Sequence, residues 1–154
     1  MATDLPRDRS RALAGVEEAF SAFAAGAGPG RLHHRMATAG GAIDHSGYPM
    51  LRWIEAWAPV RVTDLAERAG LDASTVSRRV SDLQEKGLVT RAADVDDQRA
   101  SLLELTAHGK QLLATLREAR RGLLEEALAG WPTGNVQALA DMLGRFAAAL
   151  AQVV

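Results

Sequence analysis

Apolar residues recur at helical spacing near both ends of the chain. In the first stretch, from about Asp8 to Ala25, four large apolar residues follow one another at steps of three and four, which places them on one face of a helix. A second stretch, which opens at Pro132 or Asn135, has the same spacing. The two apolar stripes are Leu13, Val16, Phe20 and Phe23, and then Val136, Leu139, Leu143, Phe146 and Leu150. The pattern predicts one amphipathic helix near each end of the chain.

Two further helices are predicted before the middle of the chain. A short one is expected over residues 31–39, where two glycines then end it. The next has Leu51 and Ile54 on its apolar face and an N-cap at Asp44 or Ser46. It stops at Pro59, because proline cannot donate the backbone hydrogen bond that a helix requires.

A pair of helices joined by a tight turn follows. Thr63 is expected to cap a helix over residues 64–69, and Asp72 to cap a helix over residues 73–86. Gly70 lies just past the first helix, at the position where a left-handed backbone favours glycine. Such a short turn suits two helices that meet at a steep angle. The second helix should bury Val76, Val80 and Leu83.

The periodicity then changes from helix to strand. Residues 88–91 and 101–105 are predicted to be strands, and the polar residues 94–99 form the tip of the hairpin between them. The short segment 60–62 has β-branched ends. Thr106 is expected to cap a long helix that runs to about Gly130. The chain is therefore predicted to be mainly α with a small antiparallel β-wing, in the order of a winged helix-turn-helix domain.

Composition adds little to this picture. The chain has 154 residues, enough for one compact domain with arms that pack against a partner. Its 18 Lys and Arg residues are offset by 19 Asp and Glu residues, so the net charge is -1. A DNA-binding domain commonly has a basic surface. The total charge indicates no such surface, and a nucleic-acid function therefore depends on the local pattern.

Some classes of protein are excluded or disfavoured. Cysteine is absent, which excludes disulfides, thiolate metal sites and oxidation sensing through a thiol. No run approaches the roughly 20 apolar residues that a membrane-spanning helix needs. The charged stretch Met1–Arg11 lacks the apolar segment of a secretory signal. We expect a cytoplasmic protein with no membrane partner and no cofactor.

The second helix of the tight pair has side chains suited to DNA. Its first turns could enter the major groove, where small hydroxyl side chains permit close approach and an arginine can bond guanine with two nitrogens. Thr63, in the preceding helix, joins the predicted contact set. Alternatively, the hydroxyl residues merely start a helix and the arginines form a solvated face. The predicted DNA contacts of the helix pair are Thr63, Ser74, Thr75, Ser77, Arg78 and Arg79.

The segment from about Tyr48 to Gly109 resembles the MarR family of bacterial regulators. The resemblance covers under half of the chain, but the order and spacing of its motifs are specific. The matching residues are Val62–Arg68, Ser74–Arg78, Leu83–Val89, Arg91, Asp94, Asp97, Arg99, Ala100 and Leu105–Gly109.

The resemblance implies a division of the chain into three parts. Residues 41–105 would form the winged DNA-binding domain, and residues 1–40 and 106–154 would form the dimerisation helices. A homodimer would place two helices in successive major grooves of double-stranded DNA, at half-sites about 10 base pairs apart in a pseudo-palindromic operator. By the same resemblance the protein is expected to be a repressor.

The resemblance also assigns roles in the wing. Arg99 at the hairpin tip would enter the narrow, electronegative minor groove. Asp97 would orient Arg99 by a charge-assisted hydrogen bond, and Asp94 would tie the hairpin to Arg91. Alternatively, this is a salt-bridged turn that touches nothing. Members of the family often have further basic residues where this chain has Val95, Asp96 and Gln98, so its wing is expected to bind DNA more weakly.

Relatives in the family bind small aromatic or anionic effectors in a crevice beside the winged domain. By resemblance, the predicted effector-binding residues here are His34, His45, Tyr48 and Trp53. The alternative is that Trp53 and Trp57, spaced i and i+4, belong to the core.

Two other classes of function, an enzyme and a metal-responsive protein, fit the sequence less well. No nucleophile elbow, phosphate-binding loop or dinucleotide fingerprint is present in the sequence, and no catalytic residue is predicted. The adjacent carboxylates Asp96 and Asp97 suit a turn better than an acid/base pair. A zinc-responsive regulator of the same fold is the alternative function, with His45, His108 and Glu104 as ligands, although surface or capping roles are favoured for these histidines and no metal residue is predicted.

Overall fold

A computed structural model describes residues 7–25, 43, 47–93 and 101–153. These ranges contain six α-helices and three β-strands, and the predicted fold class is confirmed. The elements are α1 (Arg7–Ala25), α2 (Gly47–Trp57), β1 (Val60–Arg61), α3 (Val62–Ala69), α4 (Ala73–Glu85), β2 (Val89–Ala93), β3 (Ser101–Leu105), α5 (Ala107–Leu128) and α6 (Thr133–Leu150). The helix expected over residues 31–39 and the caps Asp44 and Ser46 lie outside the described residues.

The sheet has three antiparallel strands in the order β1–β3–β2. β3 lies in the centre, where Leu103 pairs with Val60 of β1 on one side and with Arg91 of β2 on the other. Leu103 and Leu105 are buried while Glu104 between them is exposed, as expected for a strand with one face on the core. The segment 60–62 thus contributes a third strand, which ends at Arg61 because Val62 already belongs to α3.

The helix boundaries confirm one predicted cap and correct another. The Asp72 carboxylate accepts a hydrogen bond from the Thr75 backbone N–H at 2.7 Å, as predicted for the cap of α4. The prediction that Thr63 caps α3 is wrong. The helix begins at Val62 with Arg61 in the capping position and no side-chain cap, because the paired strand β1 leads directly into it. The Thr63 hydroxyl instead donates to the Asp64 carboxylate at 3.1 Å.

A single apolar core joins α2, α3, α4 and the sheet to the first turns of α5. The predicted stripe of α4 is buried, which confirms its orientation. The core residues are Ile43, Met50, Leu51, Ile54, Val60, Leu65, Ala66, Val76, Val80, Leu83, Leu88, Val89, Leu103, Leu105, Leu113 and Leu116. We call the elements from α2 to β3 the winged domain.

The first turn of α5 lies unusually close to the turn before β2. The Thr106 hydroxyl donates to the Gly87 carbonyl at 2.7 Å and accepts from the Gly109 N–H at 3.0 Å, so the predicted cap is confirmed. A Cβ atom at Gly109 would lie 2.1 Å from the carbonyl oxygen of Leu88. Only glycine permits this approach, and the residue therefore determines how α5 meets the winged domain.

The chain separates into two compact units, Met1–Ala119 and Arg120–Val154. In the second, which we call the C-terminal unit, α6 has no buried residue. An open groove of about 470 Å³ there is mostly apolar, with Arg121 and Glu125 as its charged residues. Its apolar lining is Leu124, Leu128, Val136, Leu139, Ala140 and Leu143. None of the helices described here is both long and apolar enough to cross a membrane.

Candidate DNA-binding surface

The core determines which face of α4 points outward. Val76, Val80 and Leu83 are buried on one side of this helix. Since successive residues of an α-helix turn by about 100°, Arg78 lies on the opposite side and is exposed. Arg79 lies at the flank and is half-buried. Neither guanidinium has a hydrogen bond or ion pair with another residue in the described part of the chain, so each is available to an external anion or base.

The start of α4 is held by an acidic cap. The Ser74 hydroxyl donates to the Asp72 carboxylate at 2.6 Å, beside the bond from the Thr75 N–H. The hydrogen bonds from Ser74 and Thr75 hold the pKa of the Asp72 carboxyl well below its usual range. The proton of Ser74 is thus committed within the helix start, while the lone pairs of its oxygen can still accept a bond from outside.

The remaining predicted DNA contacts of the helix pair are Thr63, Thr75 and Ser77. Thr75 and Ser77 are half-buried, and Thr63 is exposed in the first turn of α3. The carbonyl of Ser77 accepts a bond from the Ser81 hydroxyl at 3.0 Å. Thr63 is thus on a different helix from the other candidates, all of which lie within the first half of α4.

The base of the wing is tied to the end of α4 through Arg91. Its Nε donates to the Gln84 side-chain oxygen at 2.8 Å, and its Nη1 lies 3.5 Å from the Ser101 hydroxyl. These contacts connect α4, β2 and β3. The predicted wing residues Asp94, Asp97 and Arg99 lie outside the described residues.

Two of the four predicted effector residues are described. Tyr48 and Trp53 are half-buried and pack against the core. The Trp53 ring stacks parallel to Trp57, with 6.3 Å between ring centroids, and the Arg68 guanidinium lies 5.6 Å from the Trp57 ring centroid. His34 and His45 lie outside the described residues. The tryptophans therefore combine core packing with a partly open aromatic surface.

The zinc alternative gains no support from the described residues. They contain no group of three His, Asp or Glu side chains placed to hold a metal ion. His108 and Glu104 are both exposed. The third proposed ligand, His45, is outside the described ranges.

Comparisons with known proteins match this arrangement of elements. The model of the MarR family matches residues 43–101. The HTH-type transcriptional regulator YxaD of Bacillus subtilis is 37% identical over 105 residues, which cover 68% of this chain and 73% of YxaD. The chain belongs to the MarR family. It is a winged helix-turn-helix transcriptional regulator, and α3 and α4 are the helix pair of its DNA-binding domain.

Solved structures of MarR proteins share the fold. A MarR-family protein from Bacillus stearothermophilus has a TM-score of 0.80 at 19% identity, over 92% of this chain and 97% of that one. The Staphylococcus aureus MarR, solved in complex with salicylate and kanamycin, has a TM-score of 0.63 at 19% identity, over 73% of this chain and 76% of that one.

Three groups of contacts were not predicted from the sequence. The Gln84–Arg91–Ser101 contacts and a pair between Glu55 and Arg117 join residues with no diagnostic spacing, so no sequence signal could have found them. Gly109 was visible inside a matched motif. Its role depends on the Leu88 carbonyl, which only the folded chain brings near.

Proposed function

We propose that this MarR-family regulator is a homodimeric repressor that binds a pseudo-palindromic operator through α4. The observation that carries the proposal is the position of Arg78. It lies opposite the buried stripe of α4, in the first half of the helix, with no intramolecular partner among the described residues. An arginine placed in this way can bond the O6 and N7 atoms of a guanine in the major groove.

Exposed apolar faces support the dimer. In α1 the residues Phe20 and Phe23 are 57% and 68% exposed, and in α6 Phe146 is 42% exposed. Burying a side chain of this size stabilises an interface by about 1.5–3 kcal/mol before entropy is counted. We infer that the α1 and α6 stripes are covered by a second copy of the chain, and that residues 1–40 and 106–154 are the dimerisation parts.

The wing would add affinity with little sequence preference. Arg99 would lie in the minor groove and Asp97 would hold its guanidinium in place. The contacts of Arg91 with Gln84 and Ser101 support this role, because they join the base of the wing to α4.

An effector is proposed for the aromatic region of α2. Tyr48 and Trp53 would contact a small aromatic anion, together with His34 and His45. The half-buried, stacked tryptophans and the cationic Arg68 beside Trp57 support this class of ligand, and salicylate is bound in the S. aureus relative. A salicylate titration followed by tryptophan fluorescence tests it. A Trp53→Phe variant with an unchanged response would contradict the assignment.

The decisive experiment measures DNA affinity at several salt concentrations. The operator is first selected from genomic fragments with the purified protein. Arg78→Ala should weaken operator binding by about 1–3 kcal/mol and relax the preference at one base pair in each half-site. Arg99→Ala should weaken operator and scrambled duplexes alike and reduce the dependence of affinity on salt. Asp97→Ala should partly reproduce the effect of Arg99→Ala.

Arg145→Ala is the matched control. Arg145 is exposed on α6, on the side away from its apolar stripe, and its removal should leave operator affinity unchanged. If Arg78→Ala and Arg99→Ala both stay within about twofold of the wild type, the proposed docking is wrong. An operator-linked reporter that rises when the gene is deleted distinguishes repression from activation.

A further inference from the structure

An ion pair joins two helices whose residues are far apart in sequence. Arg117 Nη1 donates to Glu55 Oε1 at 3.1 Å, and Arg117 Nη2 donates to Glu55 Oε2. The two bonds form the paired geometry in which a planar guanidinium matches a carboxylate. The arrangement therefore fixes both the distance and the relative orientation of the two side chains.

Glu55 lies on the helix that supports the DNA-binding pair. The residues Met50, Leu51 and Ile54 of α2 are buried in the common core. α2 packs against both α3 and α4. A side chain fixed to α2 is thus fixed to the body that orients Arg78.

Arg117 lies where α5 leaves the core. Leu113 and Leu116 are buried, and no later described residue of the helix is. The helix nevertheless continues to Leu128. The ion pair is therefore formed one residue after the last apolar anchor of α5.

The Glu55–Arg117 pair is better suited to holding α5 in one orientation than to stabilising the folded state. The Arg117 and Glu55 side chains are 40% and 35% exposed, and an exposed pair contributes only about 0–1 kcal/mol to folding. Hydrogen bonds of Thr106 hold the first turn of α5, but the buried contacts further along are apolar. Because apolar burial is non-directional, these contacts would tolerate a small tilt of α5 about its first turn. The two directed hydrogen bonds between Arg117 and Glu55 resist that tilt at the exit of the helix.

A small tilt at this point has a large effect further along. From Arg117 to Leu128 the helix advances 11 residues, or about 17 Å at roughly 1.5 Å per residue. A tilt of about 10° would move its end by about 3 Å over this length. That is close to the rise of one base pair, about 3.4 Å along a strand of DNA.

We propose that the Glu55–Arg117 pair fixes the direction in which α5 leaves the winged domain, and thereby sets the half-site spacing that the dimer accepts. The inference rests on the proposed homodimeric DNA-binding function, in which α5 leads toward the dimer interface. Glu55 and Arg117 are positioning residues that act on spacing without touching DNA.

The test uses the full-length protein and a set of duplexes. Two copies of the selected half-site are placed at the natural spacing, one base pair closer, and one or two base pairs further apart, beside a duplex with one half-site. The readout is the ratio of affinity at the natural spacing to affinity at the others. Glu55→Gln removes the charge, and Arg117→Lys keeps the charge but loses the two-nitrogen fork.

Both variants should reduce this ratio by about threefold to tenfold. Affinity for the single half-site should stay within about twofold, as for other exposed substitutions. The exchanged pair Glu55→Arg with Arg117→Glu should restore the ratio. Glu118→Gln is the matched control, because Glu118 is an exposed carboxylate beside Arg117 on α5 with no partner among the described residues, and the variant should leave the ratio unchanged.

An unchanged ratio in Glu55→Gln and Arg117→Lys would overturn the proposal, and so would an equal loss of affinity at every spacing. If Glu55→Gln does not fold, as judged by circular dichroism, Arg117→Lys alone decides. The wild type reports separately on the proposed function. If it binds no duplex in a salt-sensitive way, the DNA-binding proposal fails together with this one, whereas a clear spacing optimum that ignores the pair refutes only the positioning role.

Discussion

The winged domain and the C-terminal unit use similar apolar side chains in opposite ways. In the winged domain, Leu51, Leu65 and Leu103 are fully buried within one chain. In the C-terminal unit, Leu143 and Phe146 recur at equally regular helical spacing and remain exposed. The first region completes its core together with the first turns of α5, within one chain, whereas the second has an apolar face that no described residue covers.

The difference indicates that the two regions are stabilised in different ways, one by burial within a single chain and the other by association. The winged domain and the first turns of α5 bring a sheet and several helices together around one core, so that its apolar residues are buried within one chain. Two helices joined by a short turn, as in the C-terminal unit, can cover only one side of each other. A second copy of the chain supplies the missing surface in our proposal, and stability there should depend on protein concentration.

The largest effect should come from deleting residues 135–154. The deletion removes the α6 stripe, and with it the α6 side of the apolar groove, so that Leu124 and Leu128 of α5 lose their apolar neighbours. We expect insoluble or monomeric protein without operator binding, measured by light scattering and by a gel-shift assay. Soluble dimers of the truncated chain that still bind DNA would refute the assignment of the dimer interface.

A matched pair of leucine substitutions compares the two regions directly. Leu65→Ala should lower the free energy of unfolding by about 2–5 kcal/mol at any protein concentration, because it leaves a cavity in a closed core. Leu143→Ala should act through the dimer, so its effect on the melting temperature should vary with protein concentration. Thermal unfolding over a wide range of concentrations distinguishes the two. Concentration-independent effects of equal size would contradict the comparison.

Glycine substitutions in α5 test the contact that joins this helix to the winged domain. Gly109→Ala places a Cβ atom against the Leu88 carbonyl oxygen and should cost about 1–3 kcal/mol, as overpacking does. Gly122→Ala is the control in the same helix, since a Cβ atom there meets nothing within 4 Å. It should stabilise the helix by up to about 1 kcal/mol. Denaturant unfolding checks both, and equal effects would show that the close approach is not tight.

The smallest effect concerns the cap of α4. Asp72→Ala should slightly lower the melting temperature at pH 7. Because folding lowers the pKa of the Asp72 carboxyl from 3.8, the ionised cap stabilises the fold above that pH. Its contribution falls as the pH drops below about 3.8 and the carboxylate takes up a proton. The difference between wild type and variant should therefore shrink in acid, and a constant difference down to pH 2.5 would contradict the role of the charge.

Local signals predicted local structure well. Asp72 and Thr106 cap the helices that they were expected to cap, because a side-chain cap needs only neighbours within three residues. The same reasoning predicted a cap at Thr63 and was wrong, because strand pairing by Val60 and Arg61 decided where α3 begins. The candidate DNA contacts on α4 were identified from the residue types in its first turns, and helical periodicity predicted the stripe that the structure buries. Their actual contacts with DNA remain predictions.

The sequence by itself determined the order of helices and strands, the buried stripe of α4, the winged helix-turn-helix class and the family. Each of these depends on periodicity, turn residues or motif spacing, all of which are written along the chain. Only the tertiary structure decided that segment 60–62 adds a strand, that Gly109 must lack a Cβ atom, and that Glu55 meets Arg117. These features join residues distant in sequence, and their energies depend on distance and direction in space, which no local pattern encodes.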